Sequence, residues 1–303
     1  MDAAHFTKVW KYFRMYSLRK DIIFKHYGPE EFNIYWINSK TSVPYKEGHI
    51  VDSFQDDLPK VELDQYPEEE FSETLMVSDP RQRVIGSRLY GPSLLLDELM
   101  GEEEVDTSPD SKFYKLCRMV HGIAEGTDEL KDQLPLNFHM HLLNAINFNK
   151  GWYLGHELTQ RTFHTGVLRK VTLPFLVTND GIVNVFKDIF DPYSNFNEQF
   201  EFQNNELAGK FILNSDYKKI GRVITHVNNI GIGLFSLNKL DDINFIQYED
   251  REDLESLYWT PQWMKNYIPT KNPQDIADNR DLSINPKEQY KLMVKDREND
   301  LPS

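Results

Sequence analysis

The second half of the chain alternates apolar and polar residues in a way that predicts β-strands. The first such run covers residues 167–177, and its apolar positions fall on one face of an extended chain: Val167, Val171, Leu173, Phe175 and Val177. Pro174 lies inside this run. Because proline lacks a backbone N–H donor, we expect this strand at a sheet edge or at a bulge.

Two further apolar runs predict a β-hairpin. Residues 221–227 and 230–237 carry β-branched and aromatic side chains, and Asn228 and Asn229 separate them. Asparagine tolerates the left-handed backbone that tight turns need, so the pair favours a turn between two strands. Residues 182–186 alternate as well. The region after residue 178 is therefore predicted to be mainly β-structure.

The first half of the chain mixes helical and extended patterns. Apolar residues recur at helical spacing over residues 6–16 and 113–120. Residues 32–37 and 75–77 carry the aromatic and branched side chains typical of strands. A short helix is expected to begin near Glu157 and end before Gly166. These elements together predict the α+β class.

Composition narrows the functional classes. The chain has 303 residues, 40% of them hydrophobic, which favours a globular fold. Its formal net charge of −14 argues against a general nucleic-acid binder. No apolar run approaches the roughly 20 residues of a membrane-spanning helix. The single cysteine, Cys117, excludes an internal disulfide and a zinc cluster encoded by this chain, and it is expected to be a buried small apolar residue.

Three polar stretches are predicted to lie outside the folded core. Residues 40–70 and 97–110 are acidic and are read as insertions. Residues 271–303 are charged and nearly free of aromatic side chains, so they are predicted to form a disordered tail. The first residues lack the composition of a mitochondrial targeting peptide.

Residues 150–170 carry the most specific pattern in the chain. Gly151 and Gly155 indicate backbone conformations or close approaches that a side chain would block. Glu157 would lie in the first turn of a helix, where the helix dipole favours a carboxylate. Elsewhere the chain shows no P-loop, no dinucleotide-binding fingerprint and no Ser/His/Asp order.

This segment resembles the signature of the folate-binding iron–sulfur cluster assembly proteins, relatives of the glycine-cleavage T-protein (aminomethyltransferase), and most of all the mitochondrial members. Two positions depart from that signature: Trp152 replaces a cysteine and His156 replaces a glutamine. The matching residues are Lys150, Gly151, Tyr153, Gly155, Glu157, Leu158, Arg161, Thr162, His164, Gly166, Arg169 and Lys170.

Weaker matches lie before the signature. Arg118, Gly122 and Glu125 match a second family pattern, and Glu125 is expected either to face a folate pocket or to cap a neighbouring group. Asp79 and Arg81 match an Asp-Pro-Arg segment, with turn formation and ligand contact both open.

The resemblance implies an aminomethyltransferase-like folate-binding fold followed by a C-terminal antiparallel β-barrel. Residues 1–166 would form the later part of the folate-binding domain, and residues 167–270 the barrel. The family's opening segment has no counterpart here, so we expect either a fragment or a wrongly placed start.

The resemblance also implies a function. It predicts a factor of the mitochondrial matrix that matures [4Fe–4S] proteins with A-type iron–sulfur carriers and apo-client proteins, and that binds tetrahydrofolate. The alternatives are a tetrahydrofolate-dependent one-carbon transferase and a diverged, non-catalytic interaction module. No nucleic acid, membrane or tightly bound metal is expected for this chain.

Two substitutions weaken the implied chemistry. Asn137 stands where the family has a carboxylate for the pterin ring, and an amide accepts only one of the two adjacent N–H bonds that a carboxylate would accept. The indole of Trp152 has no lone pair for iron, unlike a cysteine thiolate.

The sequence leaves the roles of two groups of side chains undecided. Lys150, Arg161, Arg169 and Lys170 would hold a folate glutamate tail or an acidic partner, or they are ordinary surface charges. His139 and His141 have the spacing of metal ligands in a strand, without a nearby cysteine or aspartate.

Overall fold

The computed structural model describes residues 11, 31–37, 75–94, 96, 112–148, 150–151, 155–178, 206–240, 245–268 and 284–299. The predictions for both acidic insertions, for the strand at 182–186 and for all but residue 11 of the N-terminal helix lie outside these residues.

The first part of the fold contains a three-stranded antiparallel sheet. Its strands are β1 (Phe32–Ile37), β2 (Leu75–Ser78) and β3 (Ser87–Pro92), in the order β1-β3-β2. The predicted strands at 32–37 and 75–77 are therefore confirmed. The indole Nε1 of Trp36 donates to the Ile85 carbonyl at 2.6 Å, which ties β1 to the turn between β2 and β3.

Helix α1 (Lys112–Val120) follows, and then the one-turn helix α2 (Thr127–Leu130) and the 3-10 helix Pro135–Phe138. Leu116, Met119 and Val120 are buried on one face of α1, as the helical spacing predicts. Cys117 is also buried, with 2% of its surface exposed, so its predicted role as a small apolar residue is confirmed.

The second part is a closed antiparallel barrel. Its strand order is β4-β7-β6-β5-β8-β9, and the predicted α+β fold with a C-terminal antiparallel β-barrel is confirmed. The strands are β4 (Lys170–Thr178), β5 (Phe211–Leu213), β6 (Lys219–Val227), β7 (Ile230–Ser236), β8 (Phe245–Tyr248) and β9 (Arg251–Tyr258).

Pro174 does not mark a sheet edge, because β4 pairs with β7 on one side and with β9 on the other. The paired register with β9 begins at Phe175. The Pro174 carbonyl accepts from the backbone N–H of Trp259, just beyond the end of β9. Pro174 therefore lies just beyond the paired residues of β4 and β9. Its missing N–H donor costs the barrel no hydrogen bond between these strands.

The predicted hairpin is confirmed as β6 and β7. Asn228 has φ 48°, the left-handed conformation expected at this turn. Gly231 allows a close approach inside the barrel, since a Cβ there would lie 2.5 Å from the Phe175 ring. Phe175 in turn contacts Tyr248, whose hydroxyl donates to Ser256 at 2.8 Å in the barrel core.

The signature helix α3 (Glu157–Thr165) precedes the barrel, and helix α4 (Pro286–Asn299) follows it. The predicted disordered tail is wrong for residues 284–299. Ile284 forms a β-bridge with Leu168, and Tyr290 packs against the ring of Phe163 at 5.7 Å between centroids. The low average hydropathy of the tail conceals a narrow apolar stripe that this packing buries. None of the helices in the described ranges is long and apolar enough to cross a membrane.

Candidate functional site

In the described part of the signature segment, a left-handed residue at Gly155 precedes the short helix α3, as predicted. The prediction for Gly151 is wrong, because a Cβ there would meet no atom within 4 Å and its φ is not left-handed. Gly155 has φ 90°, a conformation that side chains disfavour. Gly166 ends the helix and donates from its N–H to the Thr162 carbonyl at 3.1 Å. A Cβ at Gly166 would lie 2.8 Å from the Thr162 backbone. Gly155 and Gly166 are therefore required by the local backbone.

Most signature side chains lie on the surface. Phe163 anchors α3, since its ring stacks on Phe148 at 3.5 Å between centroids and belongs to the barrel core. His156, at the start of the helix, is buried. Trp152 and Tyr153 lie outside the described residues. The described signature residues with exposed side chains or backbones are Lys150, Gly151, Gly155, Glu157, Leu158, Arg161, His164, Arg169 and Lys170.

Asn137 lies near this segment, because its 3-10 helix packs against α3 and β4. Its side chain is half-buried, and its backbone carbonyl accepts from the Thr172 hydroxyl at 3.1 Å.

Glu125 belongs to a second group, an ionic cluster formed by Asp79, Arg81, Arg88, Tyr114 and Glu125. Arg81 is its centre: one guanidinium nitrogen lies 2.7 Å from Asp79 Oδ2 and another lies 2.6 Å from Glu125 Oε2. The Tyr114 hydroxyl donates to Glu125 and accepts from Arg88 at 2.7 Å. The cluster joins the turn after β2 to β3, to α1 and to the loop after α1.

Both carboxylates of the ionic cluster are held in the charged form. Burial acts to raise the pKa of Asp79, but hydrogen bonds and the positive charge of Arg81 outweigh it and lower the pKa below its ordinary value. Burial likewise acts to raise the pKa of Glu125, and the Tyr114 hydroxyl and Arg81 reverse the effect. Burial raises the pKa of the Tyr114 hydroxyl, which stays protonated and donates.

Asp79 also forms the turn that the sequence predicts. Its carboxylate accepts from the Arg81 backbone N–H at 3.0 Å, and its own N–H donates to the Gly86 carbonyl at 2.9 Å. Of the two roles considered for Glu125, the structure shows it bonded to neighbours within the chain.

A buried ion pair supports the loop that carries Glu125. The Arg118 guanidinium donates to both carboxylate oxygens of Glu129, at 2.8 and 2.5 Å, and to the Ile123 carbonyl. Glu129 also accepts from the Glu125 backbone N–H at 2.8 Å. Glu129 carries no signal in the sequence, because its spacing of eleven residues from Arg118 matches no periodic pattern.

His139 and His141 lie in turns rather than in a strand. His139 Nε2 donates to the Thr172 carbonyl at 3.0 Å, and His141 Nε2 donates to Gln289 Oε1 on α4 at 2.9 Å. Burial lowers the pKa of each imidazole to about 4. Within the described ranges, no group of three His, Cys, Asp or Glu side chains is arranged to hold a metal ion.

The residues predicted to face the pterin ring of a folate do not fit that group well. Asn137 offers one acceptor in place of two, and the Glu125 carboxylate is already bonded to Arg81 and Tyr114. Lys150, Arg161 and Arg169 are exposed and suit contact with an anionic molecule or protein surface.

Comparison with known proteins adds sequence relatives. No protein-family model matches the chain. It is 31% identical over 183 residues to "Iron-sulfur cluster assembly factor IBA57 homolog, mitochondrial" of Dictyostelium discoideum, covering 59% of this chain and 40% of the relative. It is 25% identical over 300 residues to the protein of the same description from Coccidioides immitis, covering 88% of this chain and 65% of the relative. The chain thus matches less than two thirds of the length of either relative.

Among solved structures, the aminomethyltransferase T of the glycine cleavage system from Bartonella henselae aligns with a TM-score of 0.42 and 13% identity. The alignment covers 63% of this chain and 49% of that protein.

Proposed function

We propose that this chain is an assembly factor for mitochondrial [4Fe–4S] proteins, because its sequence is similar to the relatives described as mitochondrial IBA57 iron–sulfur cluster assembly factors. The observation that carries this proposal is the alignment over 300 residues, 88% of the chain, with the Coccidioides immitis relative. The relatives are described as mitochondrial, and we extend that location to this chain.

In this proposal the cluster is cargo, and its iron ligands come from a partner, an A-type iron–sulfur carrier. A cluster is held by thiolates, and the indole at position 152 cannot replace one. Cys117 is an unsuitable donor because its sulfur is buried under the turn after β2, 3.9 Å from the Val84 carbonyl. The chain itself would contribute the exposed, positively charged surface around α3.

The proposed assembly function includes no role for tetrahydrofolate. The signature places Lys150, Arg161 and Arg169 where they would suit an anionic glutamate tail, but Asn137 and Glu125 lack a free carboxylate for the pterin ring. A one-carbon transferase depends on that ring being held, so the assembly function is the better supported of the two. No other observation favours a transferase.

The test is an anaerobic reconstitution. The purified chain is mixed with a mitochondrial A-type carrier, iron and sulfide, and complexes are separated by size exclusion while visible absorbance is recorded. We expect a coloured complex that contains both proteins. Absence of any complex, with this chain and with the Trp152→Cys variant alike, would contradict the proposal.

Two variants test whether a thiol of this chain contributes to cluster binding. Trp152→Cys restores the thiol of the family signature, and we expect it to make the coloured complex more stable to dilution. Cys117→Ala removes the buried thiol, and the complex should form as before. Loss of colour in Cys117→Ala, with retained far-UV circular dichroism, would show that Cys117 is a ligand after all.

A further inference from the structure

Helices α3 and α4 lie side by side and run in opposite directions. Leu168, just after α3, forms a two-way backbone bridge with Ile284, just before α4. Phe163, five residues before Leu168, contacts Tyr290, six residues after Ile284. Helix α3 therefore runs towards the bridge and helix α4 runs away from it, so the two helices are antiparallel.

The two helices cover the same core. Phe163 of α3 and Ile284 before α4 are buried members of the barrel core, and Tyr290 packs against it. Gln289 and Met293 are also buried on this side of α4. Because both inner faces meet one core, both outer faces point away from it and form one surface. We call this surface the α3–α4 face and define it by Leu158, Arg161, Lys287, Lys291, Leu292 and Lys295.

Positive charge dominates the α3–α4 face. Lys287, Lys291 and Lys295 follow each other at intervals of four, so they form one stripe along α4. No ion pair within the described ranges involves these lysines or Arg161. Among the residues of the two helices whose burial is described, the exposed acids are Glu157 and Glu288, while Asp296 is half-buried and accepts from the Tyr267 hydroxyl at 2.8 Å. Such a stripe is unexpected in a chain with a net charge of −14.

The face also exposes two large apolar side chains among these charges. Leu158 of α3 is 56% exposed and Leu292 of α4 is 49% exposed. An apolar centre surrounded by charge is the usual composition of a protein–protein interface, whereas a site for a small anion needs no leucines. A membrane surface fits less well, because Tyr290 packs against the barrel core and Met293 is buried, so neither faces outwards.

We propose that the α3–α4 face is the docking surface for a protein partner whose own contact surface is acidic around an apolar centre. This inference rests on the proposed function, and the partner to be tested is the mitochondrial A-type carrier. Complementary charge would speed association and orient the carrier, and the leucines would be buried in the complex.

The test compares two triple charge reversals in the full chain. Lys287→Glu, Lys291→Glu and Lys295→Glu together invert the stripe. Lys115→Glu, Lys131→Glu and Lys218→Glu make the same change in net charge at exposed sites outside α3 and α4. Binding of the carrier is measured by calorimetry at low and high salt, and folding of each variant by circular dichroism.

We expect the stripe variant to weaken carrier binding by roughly tenfold or more at low salt, a change of about 1.4 kcal/mol, and the control variant to change it less than about threefold. High salt should weaken the wild-type complex and remove most of the difference between the variants. Leu292→Ser should weaken binding at both salt concentrations.

The other outcomes separate the two proposals. If the wild-type chain does not bind the carrier, the proposed function fails and this docking surface fails with it. If the carrier binds the stripe variant and the wild type equally, the function stands and the docking surface is overturned. A wild-type dimer in light scattering that the stripe variant abolishes would assign the face to a second copy of the chain. Stripe-dependent binding to phosphatidylserine vesicles, without carrier binding, would assign it to a membrane; either result overturns the proposal.

Discussion

At the scale of single residues, Arg81 is the side chain that makes the ionic cluster stable. It neutralises Asp79, whose side chain is almost fully buried, and Glu125, which is partly exposed. A buried carboxylate without a partner is strongly unfavourable, while a partly exposed one is rehydrated and loses less. The two ends of the same cluster should therefore respond differently to substitution.

We expect Arg81→Met to destabilise the protein by about 3 kcal/mol, because buried Asp79 loses its hydrogen-bonded partner and keeps only Arg88, 3.5 Å away. Glu125→Gln keeps a hydrogen-bonding group at the exposed end and should cost about 1 kcal/mol. Urea unfolding followed by circular dichroism measures both. Equal losses in the two variants would contradict the ranking, and with it the assignment of Asp79 as the buried partner.

Two of the buried histidines, His139 and His141, predict sensitivity to mild acid. Burial holds the pKa of His139 and His141 at about 4 in the folded protein, whereas the unfolded chain has the ordinary value near 6.5. The unfolded state thus binds more protons between these values, so the stability contributed by neutral histidine is present above pH 6.5 and is lost as the pH falls towards 4.

We expect the free energy of unfolding to fall between pH 7 and pH 5, with a smaller fall in His141→Gln, which no longer titrates. Gln262→Asn is the control, because Gln262 is exposed and neither side chain titrates, so the slope should stay unchanged. Urea titrations at several pH values give the slopes. A His141→Gln slope equal to that of the wild type would show that His141 does not carry this dependence.

At the scale of elements, α4 depends on tertiary contacts more than on its own sequence. Three of its residues face inwards: Gln289 accepts from His141, Tyr290 contacts the rings of Phe148 and Phe163, and Met293 is buried. The helix should therefore be held by one face only.

We predict that Tyr290→Ala destabilises the protein by about 3 kcal/mol, since it removes a ring packed edge-on against the stacked rings of Phe148 and Phe163. Leu292→Ala, two residues further on the outer face, should change stability by less than about 0.5 kcal/mol. Chemical denaturation of both variants measures the difference. A large effect of Leu292→Ala would mean that the α3–α4 face is already covered within the chain.

Local patterns explain which elements were predictable. The β6–β7 hairpin and α3 are defined by residues close in sequence, so turn residues and apolar spacing were enough. The pairs Arg118–Glu129 and Arg81–Glu125, and the docking of Tyr290, join residues whose proximity depends on the whole fold. Composition alone therefore assigned the C-terminal segment to disorder, although three or four well-placed side chains order it.

At the scale of the whole molecule, the two predicted domains, residues 1–166 and 167–270, share their packing. Leu116, Met119 and Phe138 from the first form one apolar cluster with Leu176 and other barrel residues. Two hydrogen bonds cross the same boundary. Trp263 Nε1 donates to the His121 carbonyl at 3.0 Å, and His139 Nε2 donates to the Thr172 carbonyl.

This sharing predicts that the two parts unfold together. Removing the barrel would expose the inner face of α1, and removing α1 would expose the outer wall of β7, so neither part keeps its apolar surface buried alone. Tryptophan fluorescence comes from five residues, among them Trp36 in the first part and Trp259 and Trp263 beside the barrel, and it should follow the same urea transition as far-UV circular dichroism. Phe138→Gly should lower the urea midpoint of both signals equally, because the Phe138 ring lies in the apolar cluster that the two parts share. Two transitions with separate midpoints, or a Phe138 variant that shifts only one signal, would show that the boundary near residue 166 divides two independently stable domains.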